Sequence, residues 1–160
     1  MDYRIGFSKD IHQLVEGREL IIGGMVVPFD KGELAHSDGD VLYHALAESI
    51  LGALALGDLG THFPDDSALT KNMDSSLIVK EVVRVMEDKE YEVNNVDIFI
   101  SLEKPKLKGY IPLIRDNVAK LLKVDLSQVS IKAGTNEKMG PVGEGKAIEA
   151  SSIILLRKKK

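Results

Sequence analysis

Three of the four histidines of this 160-residue chain lie in two short segments that also contain aspartates. The first segment is D-I-H, from Asp10 to His12, and the second is H-S-D-G-D-V-L-Y-H, which ends at His44. Side chains two residues apart in an extended segment point to the same side, so Asp10 and His12 can converge on one ion. His44 would add a third ligand from a second element. One carboxylate and two imidazoles suit zinc, and three protein ligands leave the fourth position open for chemistry.

The hydrophobic pattern predicts the elements that must position these ligands. Strands and helices are mixed along the chain, which predicts an α+β fold with helices on one face of a sheet. The helix that carries His44 is predicted over 40–56, with its histidine off the buried leucine stripe. Leu77 is predicted to face inward on a later helix. The other predicted elements are strands at 4–7, 20–22, 25–27, 93–102, 128–133 and 148–156, helices at 75–89 and 110–122, and loops at 31–39 and 57–67.

Composition narrows the class of protein, and the length predicts a single domain. A net charge of −4, with few aromatic residues and no basic stripe, argues against nucleic-acid binding. Without cysteine, any metal must use nitrogen and oxygen ligands. No stretch approaches the roughly 18 apolar residues of a membrane span. Because the N-terminus M-D-Y-R-I-G lacks an apolar signal core, we expect a cytoplasmic protein, or the mature form of a plastid-type organellar one.

Polar residues near these segments have both structural and chemical interpretations. Ser37 precedes a predicted helix start, where it can cap the helix while backbone amides contact an anion. Asp38 and Asp40 can be hydrogen-bond partners of the metal histidines. Thr135 can donate to a phosphoryl oxygen and Glu137 can hold a hard cation, although each residue type is also common in turns.

Together, these segments resemble the 2-C-methyl-D-erythritol 2,4-cyclodiphosphate synthase family of the non-mevalonate isoprenoid pathway. The resemblance runs nearly from end to end and includes D-I-H, I-I-G-G, P-F-D-K-G, N-V-D-I, P-K-L, N-E-K-M-G and the terminal I-E-A-S-S-I-I-L-L. Its two most specific strings are H-S-D-G-D-V-L-Y-H and A-L-G-D-L-G-T-H-F-P-D.

The resemblance implies a ferredoxin-like two-layer sandwich assembled as a homotrimer around a threefold axis, with active sites between subunits. It implies a phosphorus–oxygen lyase that converts 4-diphosphocytidyl-2-C-methyl-D-erythritol 2-phosphate to the 2,4-cyclodiphosphate and CMP. One zinc ion per subunit would be bound by Asp10, His12 and His44, and magnesium or manganese would enter with the substrate and contact Glu137. In some relatives a central cavity between subunits holds an isoprenoid diphosphate.

The resemblance also implies two catalytic side chains, His36 and Thr135, which would stabilise the transition state. The phosphates and the methylerythritol would be held near the metal by Asp10, Ile11, His12, His36, Ser37, Asp58, Leu59, Gly60, Phe63, Pro64, Asp65, Asp66 and Ser67. The cytidine and its phosphates would be held by Leu102, Pro105, Lys106, Leu107, Lys108, Gly134, Thr135, Asn136, Glu137 and Lys146.

Three positions depart from the pattern common in the family. Ser8 stands where many members have glycine, and Lys9 follows it, so an added cation can either reach the phosphates or point away. Gly134 stands where many bacterial members have threonine. The loop G-P-V-G-E-G-K is two residues shorter than in many bacterial members and has Lys146 in place of an arginine. A lysine ammonium group is a point charge and cannot form the paired hydrogen bonds of an arginine guanidinium group. This difference weighs against binding of an isoprenoid diphosphate in the cavity.

Two other functions are compatible with the residues. A zinc phosphohydrolase would use the same ligands to activate water, with Asp38 or Asp40 as general base, and would release linear phosphates. A non-catalytic trimeric isoprenoid-binding module would hold a structural metal, which needs a fourth protein ligand that the sequence does not clearly offer.

Overall fold

Strands and helices are mixed along the chain in the computed structural model, which describes residues 2–64, 68 and 70–160. The strands are β1 (Tyr3–Glu16), β2 (Leu20–Ile22), β3 (Met25–Val27), β4 (Lys31–Glu33), β5 (Tyr91–Ser101), β6 (Val129–Gly134) and β7 (Ala147–Lys158). The helices are α1 (Val41–Ala53), α2 (Leu59–His62), α3 (Ser75–Asp88), α4 (Ile111–Leu122) and α5 (Gly140–Gly143), with a 3₁₀ turn at Leu126–Gln128. Among the described residues, no helix has the length and apolar character needed to cross a membrane.

Five strands form one mixed sheet in the order β4-β1-β7-β5-β6, and β2 pairs with β3 in a separate hairpin. Strand β7 is antiparallel to both β1 and β5, whereas β6 is parallel to β5. The hairpin turns at Gly23 and Gly24, whose φ angles of 56° and 76° are those that glycine adopts without strain. The hairpin prediction is therefore confirmed.

Helices α1, α3 and α4 cover one face of the sheet and leave the other face open. Along β1, side chains alternate between the covered face, where Gly6 is buried, and the open face, where Ile5 and Phe7 are 67% and 63% exposed. Apolar side chains continue across the open face with Phe99 and Ile153. The predicted α+β sandwich is confirmed, and its open sheet face is rich in exposed apolar side chains.

The connectivity differs from the ferredoxin-like one that the resemblance implied. A ferredoxin-like chain runs β-α-β-β-α-β, whereas the four main strands here run β1-α-β5-α-β6-β7. After α4, strand β6 pairs parallel to β5 at the sheet edge, and β7 then lies between β1 and β5. The ferredoxin-like expectation is wrong because strand order depends on pairing between distant segments, which a local hydrophobic pattern does not encode.

Several element boundaries also differ from the predictions. Strand β1 extends well beyond 4–7 and includes the D-I-H segment, because its pairing with β7 continues from Tyr3 to Gln13. Residues 31–33 form β4 against the far end of β1 instead of a loop, and α2 lies inside the predicted loop 57–67. Leu77 is 48% exposed, so the prediction that it faces inward is wrong, and its neighbour Ile78 is one of the buried residues of α3.

Glu33 is a buried carboxylic acid close to the start of α1. Its side chain is fully buried, its Oε2 accepts a hydrogen bond from Ile21 N at 3.1 Å, and its Oε1 has no hydrogen-bond partner among the described residues. Burial, helped by the nearby carboxylates of Asp40 and Asp38, raises the pKa of Glu33 to about 9. Glu33 therefore keeps its proton in the folded protein at neutral pH.

We expect the Glu33→Gln variant to lose part of the pH dependence of unfolding. The unfolded chain releases this proton near the ordinary value of 4.5, and the folded protein releases it near 9. Wild-type stability therefore falls as pH rises between these values, by at most about 1.4 kcal/mol per pH unit. Because an amide does not ionise, the melting temperature of the variant relative to wild type should rise from about pH 5 to about pH 8. Thermal melts at these pH values check this, with the exposed Glu19→Gln as control. A difference in melting temperature from wild type that stays constant with pH would contradict the prediction.

Candidate metal centre and substrate cavity

Asp10, His12 and His44 lie next to one another on the covered face of the sheet. Asp10 and His12 share that face of β1, and His44 reaches them from the first turn of α1. One ligand atom of each residue lies within 4.8 Å of the others. Asp10 Oδ2 is 2.9 Å from His12 Nε2 and 3.5 Å from His44 Nδ1. The prediction that these three side chains lie close together is therefore confirmed.

The spacing and hydrogen bonds of these groups suit a tetrahedral zinc ion. Ligand atoms bound to one zinc at tetrahedral angles lie about 3.3 Å apart, close to the two separations above. Asp10 Oδ1 accepts a hydrogen bond from Ile11 N at 2.9 Å, which leaves Oδ2 for an ion. The Nδ1–H of His12 donates to Gly39 O at 2.8 Å, so its Nε2 faces the same point and offers a lone pair to an ion once its proton is released. Among the described residues, the cluster contains no fourth histidine, aspartate or glutamate.

The two histidines also control the charge of Asp10. Burial by itself raises the pKa of a carboxyl group, but the contacts with the His12 and His44 imidazoles outweigh burial and hold the pKa of Asp10 well below its usual range. Burial likewise lowers the pKa of His12, and the hydrogen bond and charge of Asp10 more than offset it, so the pKa of His12 is raised. Asp10 is therefore an ionised ligand at physiological pH.

The cluster opens into a cavity next to α2 and the loop that precedes α1. Arg18 holds this loop, because its guanidinium group donates to Ala35 O at 3.0 Å and to Ser37 O at 2.8 Å. The sequence analysis missed Arg18, since no motif connects it to carbonyl groups 17 and 19 residues away. Besides the three ligands, the cavity is lined by Leu34, Ala35, His36, Ser37, Glu48, Leu59, Gly60, Phe63, Thr70 and Ile78.

The residue that caps α1 is Asp40, and the expectation that Ser37 caps it is wrong. Asp40 accepts from Tyr43 N at 3.1 Å and from two amides of the β2–β3 turn at 3.0 and 2.8 Å. This fully buried carboxylate therefore fixes the hairpin to the helix start and does not orient a metal histidine. Ser37 Oγ accepts from Gly39 N at 3.2 Å and lies 3.2 Å from His44 Nε2.

Ser8 and Lys9 point to opposite faces of the sheet. Ser8 is buried and donates to Glu48 Oε2 at 2.6 Å, while Glu48 Oε1 accepts from Leu59 N at 3.0 Å. Glu48 thus connects β1 to the first residue of α2, which forms part of the cavity wall. Lys9 lies on the open face, 3.8 Å from Glu149, so its cation points away from the cluster.

A second set of predicted substrate contacts lies near the β6 edge of the sheet, away from the three-ligand cluster on β1 and α1. Ile11 of β1 and Gly134 of β6 are in register through Glu149 and Ser101, three strand spacings apart, which corresponds to about 14 Å. One chain therefore does not bring His44 and the β6 end into one site. A separate cavity at this end is lined by Leu102, Glu103, Pro105, Lys106, Leu107, Lys108, Ile111, Ala133, Gly134 and Thr135.

Of the remaining predicted contacts that the structure describes, Gly134 lies in the second cavity and the others lie in neither. Asp58 caps α2, accepting from Thr61 N at 3.0 Å and from Thr61 Oγ1 at 2.6 Å. Gly134 contributes to the second cavity with no side chain, because a Cβ there would lie 2.9 Å from Cζ of Phe99. The contacts with exposed side chains are Ile11, Asn136, Glu137 and Lys146. Pro64 lies beyond α2 at the surface, and the predicted contacts outside the described residues are Asp65, Asp66 and Ser67.

The fold and the cluster define an α+β protein with a candidate three-ligand metal centre. Residues 3–157 match the model of the YgbB family. The 2-C-methyl-D-erythritol 2,4-cyclodiphosphate synthases of Brachyspira hyodysenteriae and Fusobacterium nucleatum are 49% and 47% identical over 157 residues, covering 98% of this chain and 99% and 98% of theirs. The solved CDP complex of Plasmodium falciparum IspF superposes with a TM-score of 0.87 at 37% identity, covering 99% of this chain and 97% of that one. The chain belongs to the YgbB family.

Proposed function

We propose that this protein is a 2-C-methyl-D-erythritol 2,4-cyclodiphosphate synthase of the non-mevalonate isoprenoid pathway. It converts 4-diphosphocytidyl-2-C-methyl-D-erythritol 2-phosphate to the cyclic diphosphate and CMP, and so acts as a phosphorus–oxygen lyase. The observation that carries the proposal is the Asp10–His12–His44 cluster, which opens into a cavity lined by His36 and Ser37. End-to-end identity of 47–49% to enzymes of that name supports the same reaction.

The reaction needs no protein nucleophile because the substrate carries its own. An oxygen of the 2-phosphate attacks the β-phosphorus of the diphosphate and forms a new P–O–P bridge. The bond between that phosphorus and the oxygen of CMP breaks, and CMP leaves with the electron pair. The main barrier is the approach of two anions. A site that holds the substrate folded, with donors aimed at the phosphoryl oxygens, lowers that barrier.

Each part of the site has a role in this scheme. Zinc bound by the cluster would supply Lewis-acid polarisation and orientation of a phosphate oxygen. His36 and Ser37 line the same cavity, where they can donate to phosphate oxygens as charge develops. The walls that suit the methylerythritol are formed by Leu59, Gly60 and Phe63. In the second cavity, Lys106 and Thr135 would hold the cytidine and its phosphates.

Two features support a homotrimer with active sites between subunits. The open sheet face exposes Ile5, Phe7, Phe99 and Ile153, and neighbouring exposed apolar side chains of this kind are typical of an interface. Strands β1 and β6, which border the two cavities, lie three strand spacings or about 14 Å apart in the sheet of one chain. A neighbouring subunit that supplies the second cavity would let one substrate contact both. Light scattering should give three times the 17.5-kDa chain mass.

Both alternatives lose support from the geometry. A zinc phosphohydrolase needs a general base near the open metal position, and the Asp40 carboxylate is instead bonded to three backbone amides. The other suggested base, Asp38, is bonded to the Ser75 hydroxyl. A structural metal needs a fourth protein ligand, which the cluster lacks among the described residues.

Phosphorus NMR of the purified protein with its proposed substrate tests the function. We expect the cyclic diphosphate and CMP in the presence of zinc and magnesium, and no product after chelation. Linear phosphates would support the hydrolase instead. Absence of turnover in the folded, metal-loaded protein would reject the cyclase.

We expect Glu137→Gln to raise the magnesium concentration needed for half-maximal cyclisation. Glu137 is exposed on the loop after β6, and its backbone N–H donates to Thr135 Oγ1 at 3.3 Å. The amide removes the negative charge that attracts a hard cation. Zinc content should be unchanged, because the zinc cluster lies elsewhere. A magnesium titration checks this, with the exposed Glu19→Gln as control. An unchanged titration would remove Glu137 from the role.

A further inference from the structure

His44 has a hydrogen-bond partner on a helix that begins 31 residues later in the chain. Ser75, the first residue of α3, is fully buried, and its Oγ lies 3.0 Å from His44 Nε2. The Ser75 hydroxyl donates to Asp38 Oδ1 at 2.5 Å, and Ser75 N donates to Asp38 Oδ2 at 3.1 Å. We call this chain of contacts, Asp38–Ser75–His44, the serine relay.

The serine relay determines which nitrogen of His44 carries the proton. Asp38 Oδ1 also accepts from Asp40 N at 3.1 Å. A carboxylate only accepts, so the hydroxyl hydrogen of Ser75 points at Asp38 and leaves only lone pairs of Oγ for His44. The Nε2 of His44 is then the protonated nitrogen. Its Nδ1 lone pair faces Asp10 Oδ2, at the point where an ion binds.

A second hydroxyl group lies beside the same nitrogen and is compatible with this proton position, because a hydroxyl can accept as well as donate. Ser37 Oγ lies 3.2 Å from His44 Nε2 and accepts from Gly39 N at 3.2 Å. On the opposite side of the ring, Asp10 Oδ2 lies 3.5 Å from Nδ1 and attracts a proton to that nitrogen. The relay contact at 3.0 Å is shorter and opposes this attraction. A proton on Nδ1 would block the ligand atom, so the balance between the two sides matters for metal binding.

The backbone keeps the relay in place. Asp38 N donates to Met73 O at 3.0 Å, which fixes the loop before α1 against the residues that lead into α3. Asp74 caps α3 by accepting from Ser76 N at 2.9 Å, and this cap sets the position of Ser75 in the first turn. The metal ligand on α1 is therefore oriented by the start of α3.

We propose that Ser75 and Asp38 are positioning residues that hold His44 in its metal-binding tautomer and thereby raise the zinc affinity of the site. The sequence analysis expected Asp38 to contact a metal histidine, and the structure shows that the contact runs through Ser75. The proposal rests on the metal centre of the proposed function but is independent of the cyclisation step.

Two measurements on the whole protein test the relay. Long-range ¹H–¹⁵N NMR of the metal-free protein at about pH 8, where an ordinary imidazole is neutral, reports the tautomer of His44. Competition with a chromophoric chelator reports zinc affinity. We expect the Nε2–H tautomer in wild type. In Ser75→Ala we expect a shift toward Nδ1–H and a zinc affinity lower by about 10- to 100-fold. Ser76→Ala, at the next position, should match wild type in both.

Asp38→Asn is the second variant, and it keeps the Ser75 hydroxyl. An amide cannot accept all three donors, because its NH₂ group must face one of them. We therefore expect a smaller shift of the His44 tautomer and of zinc affinity in the same direction. Asp88→Asn alters an exposed acid at the opposite end of α3 and is the matched control.

The outcomes separate this proposal from the proposed function. An unchanged His44 tautomer in both Ser75→Ala and Asp38→Asn would overturn the relay, and so would a changed tautomer with unchanged zinc affinity. If tautomer and affinity respond as expected but the wild-type protein forms no cyclic product, the relay stands and only the cyclase assignment fails.

Discussion

Replacing His44 with alanine is expected to abolish cyclisation and to remove most of the bound zinc. His44 supplies one of the three ligand atoms of the cluster, and the other two come from neighbouring positions on β1. A zinc ion held by the cluster would act on charge that develops in the transition state. Turnover should therefore fall by more than about 10²-fold, the scale of losing one preorganised donor. Phosphorus NMR rates and zinc per subunit by mass spectrometry measure both effects.

His62→Ala is the matched control for this experiment. His62 is exposed at the end of α2, and its Nε2 lies 3.0 Å from Leu56 O, away from the cluster. We expect this variant to keep its zinc and its turnover. Full activity and normal zinc content in His44→Ala would show that the metal assignment is wrong.

The His44→Ala variant also tests whether active sites lie between subunits. Thr135→Ala should lower kcat about 10²-fold through loss of one donor. In mixed trimers of His44→Ala and Thr135→Ala chains, some sites between subunits combine an intact His44 with an intact Thr135. A one-to-one mixture should recover about a quarter of wild-type activity if each site joins two neighbours. If both residues act from one chain, mixing recovers nothing.

The Gly6→Ala variant is expected to be strongly destabilised. Gly6 lies on the covered face of β1 where α1 makes its closest approach, and a Cβ there would overlap with Ser49 O and lie 2.7 Å from Ala53 N. These are backbone atoms, so no side-chain rotation relieves the overlap. We expect a loss of about 3 kcal/mol or more. That loss corresponds to a fall in melting temperature of roughly 10 °C for a chain of this size.

Gly52→Ala adds the same methyl group on α1 and serves as the control. Its Cβ would have only Phe7 O nearby, at 3.9 Å, and Gly52 is exposed. Because alanine favours the helix over glycine by up to about 1 kcal/mol, this variant should be as stable as wild type or more stable. A Gly6→Ala protein that melts together with Gly52→Ala would contradict the close packing of α1 on β1.

Much of the candidate site follows from local sequence. Asp10 and His12 share a face of any extended segment because side chains alternate, and the two glycines of the hairpin permit the turn that they form. The chemistry of one carboxylate and two imidazoles also depends only on residue type. His44 was proposed as the third ligand from its residue type and its place on a predicted helix, and the family resemblance added the expected reaction.

Contacts between distant segments could be decided only by the tertiary structure. Ser75 orients His44 from a different helix, Arg18 holds the loop of the cavity, and Gly6 lets α1 approach β1. Strand order and the short strand β4 were likewise mispredicted. The physical reason is the same in each case. A hydroxyl, guanidinium or glycine has many compatible partners along a chain, and which one it meets depends on the packing free energy of the whole fold. The sequence therefore predicted the residue types of the candidate metal ligands. Their orientation, and the separation of the predicted substrate contacts into two places along the sheet, were decided only by the folded structure.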